Sequence, residues 1–150
     1  MAADAWRFWA IKPGNTLVSP VTCTTPTKDG IHTARCEHHP APPAEGCDCG
    51  IGYWSTKQDM QLAIEKLPLM HNSLAVTVGV AGGPILPDEF PPRWAVRAVG
   101  GFKTPVAVLP PAQRCGTYRV AAILTPTPGP FPYNVPVIHG TDLDLLAGVL

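Results

Sequence analysis

The fold is decided by the stretch Ala5-Trp6-Arg7-Phe8-Trp9-Ala10-Ile11, in which large side chains alternate along the chain. Trp6 and Phe8 face one side of an extended chain, and Arg7 and Trp9 face the other, because successive side chains of a strand point to opposite faces. Aromatic residues also favour strands. The turn residues Lys12-Pro13-Gly14-Asn15 follow, and Pro and Gly at these places are typical of a tight turn. The stretch therefore predicts the first strand of a hairpin, with residues 16–21 as the returning strand.

Two further stretches alternate in the same way, at 74–80 and at 93–99 around Trp94. Period-2 alternation is the pattern of a strand with one buried face. We expect the strands around Trp6, Leu74 and Trp94 to share one sheet. The run Ala81-Gly82-Gly83-Pro84 is expected to end the second of them. Shorter apolar runs predict buried strands at 106–109 and 118–124 and a last edge strand at 135–138.

One amphipathic helix is predicted between the first strands and the strand at Leu74. Apolar residues recur at helical spacing, and Ser55 with Gln58 three residues later has the pattern of a capping box. The helix should run from about Thr56 to Leu67, with Pro68 ending it. The predicted packing buries Met60, Ile64 and Leu67 against Leu74, Val76 and Val78. Thr141 is expected to cap a short C-terminal helix.

These elements predict an α+β fold, with a mainly antiparallel sheet, one central amphipathic helix, a short C-terminal helix and a long Cys/His-bearing loop. The chain of 150 residues is expected to form a single domain, 1–150. Within it, 24–50 is predicted to be a Pro-rich Cys/His loop and 125–150 a Pro-rich C-terminal extension. The 19 prolines make long helices improbable.

Composition restricts the function and the compartment. Eleven basic and eleven acidic residues give a formal net charge of zero, which argues against a nucleic-acid binder held mainly by bulk charge. No signal-peptide pattern and no apolar run of about 18 residues is present, so we expect no membrane association. The odd number of five cysteines argues against a disulfide framework. We therefore expect a cytoplasmic protein, in which clustered cysteines bind metal or stay as thiols.

One segment carries metal chemistry. It offers two ligand pairs in a Pro-rich loop, C-x2-H and C-x-C, formed by Cys36, His39, Cys47 and Cys49. Zinc prefers four N and S ligands in a tetrahedron. Gly46 and Gly50 would allow tight turns around the ion. Because all four positions would be filled by protein, the site would be structural and not catalytic.

Alternatives to this site stay open at the level of sequence. His38 could replace His39, and His32 or Cys23 could substitute for a weaker ligand. The same cysteines could also be free thiols packed against the sheet, or two of them could form a disulfide.

Other chemistry-bearing residues have a structural interpretation that we favour. Four tryptophans could stack on bases or sugars but more often belong to the core: Trp6, Trp9, Trp54 and Trp94. Five basic residues could form an anion patch but more often occupy a solvated sheet face: Arg93, Arg97, Lys103, Arg114 and Arg119. Cys115 could be a nucleophile, but its neighbours in sequence offer no support for that role.

The order of these motifs resembles a group of small proteins of unknown function from actinobacteria and their phages. The resemblance rests on a Trp-rich first strand, on Ala34-Arg35-Cys36 and His39-Pro40, and on Cys47-Asp48-Cys49-Gly50-Ile51 before Tyr53 and a helix. In that group a C…H…C-x-C-G-I-Y-A block precedes a short helix. The resemblance implies a shared scaffold and no reaction.

The sequence thus predicts a non-enzymatic small binding or interaction domain with a structural zinc site and a protein partner, acting as a phage accessory protein. One alternative is a nucleic-acid or small-ligand module that uses a Trp/Arg sheet face. The other is an enzyme that uses Cys115 or an open metal site.

Overall fold

A computed structural model describes residues 4–19, 24–47, 49–66, 74–88 and 110–149. In this part of the chain the strands are β1 (Asp4–Lys12), β2 (Thr16–Val18), β3 (Ile31–Thr33), β4 (Ile51–Tyr53), β5 (Leu74–Pro87), β6 (Gln113–Thr125) and β7 (Val137–His139). An α-helix, α1, spans Lys57–Lys66, and a 3-10 helix spans Leu143–Leu146. The predicted α+β class with a mainly antiparallel sheet is consistent with this architecture.

The seven strands form one sheet that curls into a half-barrel. Its order is β2-β1-β5-β6-β3, and β4 and β7 also pair with β6. Strand β6 therefore receives three short strands in turn: β4 at residues 113–115, β3 at 117–119 and β7 at 123–125. All pairings are antiparallel except that of β6 with β7. The three short strands β3, β4 and β7 are therefore all attached to the sheet through β6.

The alternation in β1 divides the buried residues into two cores. Trp6 and Phe8 lie in the first core, which α1 and the 3-10 helix cover. Trp9 lies in the second core, on the other face, together with Tyr118. Burying large apolar side chains on both faces stabilises the sheet by about 1.5–3 kcal/mol for each fully buried side chain. The predicted side-to-side alternation of β1 is confirmed, and both of its faces are covered.

Helix α1 packs on the sheet as predicted. Met60 is fully buried in the first core with Val76 and Val78, whereas Ile64 and Leu74 pack there only partly buried. The remaining predicted member, Leu67, lies outside the described residues. Within the described ranges no helix is both long and apolar enough to cross a membrane.

Both helix caps differ from the prediction by one residue. The Asp59 amide donates to Thr56 Oγ1 at 3.1 Å, so Thr56 caps α1, while Ser55 donates to Gln113 Oε1 instead. Thr56 and Asp59 have the same three-residue spacing as the predicted pair, so the local pattern allowed both. At the C-terminal turn the Asp142 carboxylate, and not Thr141, accepts the amide of Asp144 at 2.9 Å.

Two segments that were predicted to lack strand structure contain strand residues. Strand β5 does not end at Gly82-Gly83-Pro84 but continues to Pro87, with a register shift between Gly82 and Ile85. Gly83 has φ +74°, and this conformation accommodates an irregularity without ending the pairing. The predicted loop 24–50 is not continuous, because its residues 31–33 form β3 against β6. Between β3 and β4, the described residues of 34–50 form no helix or strand.

Other predicted strands were shorter, shifted or not described. The hairpin forms, but its returning strand is the short β2, and the last strand is β7 at Val137–His139. The run at 118–124 is the interior of the longer β6. The predicted strands at 93–99 and 106–109 lie outside the described residues.

The second core contains a buried polar group of side chains. The Arg7 guanidinium lies 4.1 Å from the centroid of the Trp9 ring, and it donates to Ser19 Oγ at 3.2 Å. Burial lowers the pKa of Arg7 to about 10, so it stays charged at neutral pH. His32 packs edge-on against Trp9, and its Nε2 lies 3.2 Å from Thr24 Oγ1. Burial, together with the charge of Arg7, lowers the pKa of His32 to about 4.

Candidate metal centre

The cysteine loop leaves and rejoins the sheet at neighbouring positions of the same strand. Thr33, at the end of β3, pairs with Thr117, and Ile51, at the start of β4, pairs with Cys115. The amide of Ala34 extends the first contact by donating to the Gly116 carbonyl at 2.8 Å. Both ends of the loop 34–50 are therefore fixed close together on β6. Because both ends are fixed there, Cys36 and His39 near the start of the loop come close to the Cys47 and Cys49 pair near its end.

The four predicted ligands lie together. The ligand atoms of Cys36, His39, Cys47 and Cys49 are all within 4.8 Å of one another. Cys36 Sγ lies 3.8 Å from Cys47 Sγ and 3.4 Å from Nδ1 of His39. All four residues are partly exposed. The cluster could hold a metal ion.

Two of the six separations within the cluster lie close to the edges of a zinc tetrahedron. Zinc bonds of about 2.3 Å to sulfur and about 2.0–2.1 Å to nitrogen, at tetrahedral angles, place two sulfurs about 3.8 Å apart and a sulfur and a nitrogen about 3.6 Å apart. The observed separations of 3.8 and 3.4 Å lie close to these values. A disulfide would need the two sulfurs at about 2.05 Å, and Cys36, Cys47 and Cys49 are free cysteines. These two separations, and the 4.8 Å within which all four ligand atoms lie, are compatible with one metal ion.

Hydrogen bonding favours the thiolate of Cys36, which is the form that binds metal. The contact with the His39 ring lowers the pKa of the Cys36 thiol to about 6, with a smaller contribution from the His38 backbone. Cys49 differs, because partial burial raises the pKa of its thiol. A cysteine must be deprotonated to bind a metal ion, so metal binding at this cluster releases protons.

Two glycines give the loop its turns, as the sequence predicted. Gly46 has φ +73° and Gly50 has φ +113°, conformations that residues with a Cβ rarely adopt. A Cβ on Gly50 would also lie 2.9 Å from Pro43 Cβ and 3.1 Å from Arg114 Cβ. A Cβ on Gly46 would meet no atom within 4 Å. Gly50 is therefore needed both for its conformation and for the close approach of the loop to β6.

Arg114 has a role at this site that the sequence did not reveal. Its side chain is buried, and its Nη1 donates to the carbonyl oxygens of Cys47 and Cys49, the latter at 2.7 Å. Its Nε donates to the Pro87 carbonyl at 3.4 Å. No local signal could have identified it, because the contact depends on the register of β4 and β5 against β6.

The substitute ligands considered from the sequence do not join the cluster. His32 lies in the second core against Trp9, and His38 is not among the grouped ligands. Cys23 lies outside the described residues. Cys115 is fully buried, its thiol donates to the Ile51 carbonyl at 3.5 Å, and burial raises its pKa to about 11. A buried, protonated thiol is a poor nucleophile.

The described tryptophans are buried, whereas the two described arginines of the predicted basic patch differ in exposure. Trp6, Trp9 and Trp54 are buried, which confirms the core interpretation for these three. The prediction of a solvated sheet face was wrong for Arg114, which is buried under the loop 34–50 because its side chain contacts that loop, and it is confirmed for Arg119, which is exposed. Trp94, Arg93, Arg97 and Lys103 lie outside the described residues.

Comparisons with protein families, with curated proteins and with solved structures find no match to this chain.

Proposed function

We propose that this chain is a small non-enzymatic binding domain in which a structural zinc ion, held by Cys36, His39, Cys47 and Cys49, fixes the loop 34–50 on the sheet. The observation that carries the proposal is the convergence of four ligand atoms within 4.8 Å. Cys36 and Cys47, which belong to different ligand pairs and lie eleven residues apart, bring their sulfurs to 3.8 Å.

The chemistry of the donor set favours zinc among the common metal ions. Three thiolates and one imidazole are soft and borderline ligands, whereas magnesium and calcium require oxygen. Tetrahedral sulfur-rich sites hold zinc or iron–sulfur clusters. With zinc, three thiolates and the ion sum to one net negative charge. An ion in this place would tie the two limbs of the loop together.

A closed set of four protein ligands supports a structural role. Catalytic zinc sites keep a position open for water or substrate, and this cluster would fill all four positions with side chains. The second enzymatic alternative, a nucleophilic Cys115, is disfavoured by the burial of that thiol. The proposed activity is therefore binding, with a protein as partner and the metal-fixed loop as a rigid contact surface. The resemblance to actinobacterial and actinophage proteins, and with it a phage accessory role, stays a prediction.

Metal analysis of the purified protein tests the zinc site. Elemental analysis should find one zinc ion per chain and no stoichiometric iron, and the ratio should fall when Cys47 is replaced by serine. Cys115→Ser is the matched control, because that thiol lies in the second core and outside the cluster. Wild-type protein that takes up no metal during titration with zinc would overturn the proposal.

The nucleic-acid alternative has a separate test. Anisotropy of a labelled oligonucleotide should not change on titration with the zinc-loaded protein. Binding that weakens between low and high salt would favour that alternative, since phosphate contacts release counterions.

A further inference from the structure

We propose that Arg114 is the positioning residue of the metal centre, which aims the thiols of Cys47 and Cys49 through their own main chain. The proposal rests on the zinc site proposed above. One nitrogen of the guanidinium, Nη1, donates to the carbonyl oxygens of both cysteines. Arg114 therefore holds the two ligands of the C-x-C pair at once, without touching the ion.

The contact restricts the direction of the Cα–Cβ bond that carries each thiol. Each carbonyl belongs to the peptide unit that follows its cysteine, so a carbonyl held in place fixes the backbone torsion next to the Cα–Cβ bond. A hydrogen bond from a charged donor is stronger than one between neutral groups. Two such bonds from one group restrict the relative orientation of Cys47 and Cys49. The fold therefore meets part of the entropic cost of ordering the two ligands, and metal binding does not have to offset that part.

The guanidinium is itself held rigidly. Arg114 lies on β6 opposite Gly52 of β4 and opposite Leu86 of β5. Its side chain is only 4% exposed, and its Nε donates to the carbonyl of Pro87. The loop closes over its stem, because a Cβ at Gly50 would lie 3.1 Å from Arg114 Cβ. A donor fixed by the sheet can transmit the geometry of the sheet to the loop.

Charge adds to the geometric effect. A zinc ion with three thiolates and a neutral imidazole carries one net negative charge. A cation placed at the backbone of two of the ligands stabilises that charge, and the partly buried setting screens the interaction less than bulk water does. Groups that orient metal ligands from outside the coordination sphere typically change metal affinity about 10–100-fold when they are removed.

The substitution Arg114→Lys separates geometry from charge. Lysine keeps the positive charge and the apolar stem, but its ammonium lacks the planar, rigid arrangement of donors of a guanidinium. We expect zinc affinity, measured by competition with a chromophoric chelator, to fall about 10–100-fold in Arg114→Lys and at least as far in Arg114→Ala. Arg119→Ala is the matched control, an exposed arginine of the same strand, and should leave the affinity unchanged.

A cobalt-substituted sample gives a readout that stability alone does not move. Tetrahedral cobalt bound by thiolates absorbs in the visible range, and the bands depend on ligand angles. They should shift in the Arg114 variants and stay constant in Arg119→Ala. If Arg114→Lys lowers the melting temperature but binds zinc and cobalt as the wild type does, Arg114 is only a stabilising residue and the inference is overturned. A wild type that binds no metal instead overturns the proposed function.

A measurement on the unmodified chain decides the matter if the variants do not fold. In the metal-free protein the Arg114 Nη protons should exchange slowly with solvent in nuclear magnetic resonance spectra, because both carbonyls are held before the ion arrives. Rapid exchange of those protons in the folded, metal-free protein would overturn the inference.

Discussion

Replacing Gly50 by alanine should strongly destabilise the loop on which the metal centre depends. The φ of +113° at Gly50 imposes backbone strain of about 1–3 kcal/mol on a residue with a Cβ. The new Cβ would also lie 2.9 Å from Pro43 Cβ and 3.1 Å from Arg114 Cβ, and forcing extra atoms into a packed site costs about 1–3 kcal/mol. The two effects together predict a loss of about 2–6 kcal/mol in the free energy of unfolding.

Gly46→Ala is the control that separates the two effects. Gly46 also has a positive φ, +73°, but a Cβ there would meet no atom within 4 Å. It should therefore lose only the strain, about 1–3 kcal/mol. The difference between the two variants measures how closely the loop packs against β6.

Urea unfolding of both variants and the wild type, each with and without zinc, provides the assay. The free energies are compared at constant m-value. Zinc binding should be weakened more in Gly50→Ala than in Gly46→Ala, because only the former displaces the loop from Arg114. Equal losses in the two variants would refute the reasoning, since the loop would then not rest on β6.

Three further predictions concern the metal, the core and pH. A strong chelator should lower the melting temperature of wild-type protein but leave that of Cys47→Ser unchanged, whereas Cys115→Ser should respond as the wild type does; a wild type indifferent to the chelator contradicts this. Met60→Ala should cost about 2–5 kcal/mol in a denaturant titration, whereas Leu62→Ala, at a side chain 43% exposed, should stay within about 0.5 kcal/mol; equal costs would place Met60 in solvent. His32 has its pKa lowered to about 4, so the unfolded chain binds its proton first. The stability that neutral His32 contributes is present above about pH 6.5 and is lost as the pH falls towards 4. Its imidazole resonances should titrate near pH 4 in the folded protein, and a midpoint near 6.5 would contradict its burial.

Local chemistry made much of the fold readable from the sequence. The alternation in β1, the turn at Gly14 and the helical spacing around Met60 each depend on residues a few positions apart, and each formed as predicted. The same locality explains the small errors. Ser55 and Thr56 offer equivalent caps, and only the contact of Ser55 with Gln113 decides between them.

Long-range pairing explains the larger errors. Gly82-Gly83-Pro84 has the composition of a chain break, but β6 pairs with β5 on both sides of it and the strand continues. Residues 31–33 have no strong strand pattern, and they become β3 because β6 offers them an edge. Such pairings join segments that lie far apart in the sequence, so the pattern within one segment does not reveal its partner.

The candidate site likewise depends partly on local sequence and partly on long-range contacts. The sequence by itself determined which side chains could bind metal, because the identity and spacing of Cys36, His39, Cys47 and Cys49 are local properties, as is the need for glycine at tight turns. Only the tertiary structure decided that the two pairs meet, because both ends of their loop dock on neighbouring residues of β6. It also decided that a buried arginine of that strand reaches the carbonyl oxygens of two of the candidate ligands. The physical reason is that a ligand set needs only residue types, whereas its convergence needs a rigid support built by residues far away in sequence.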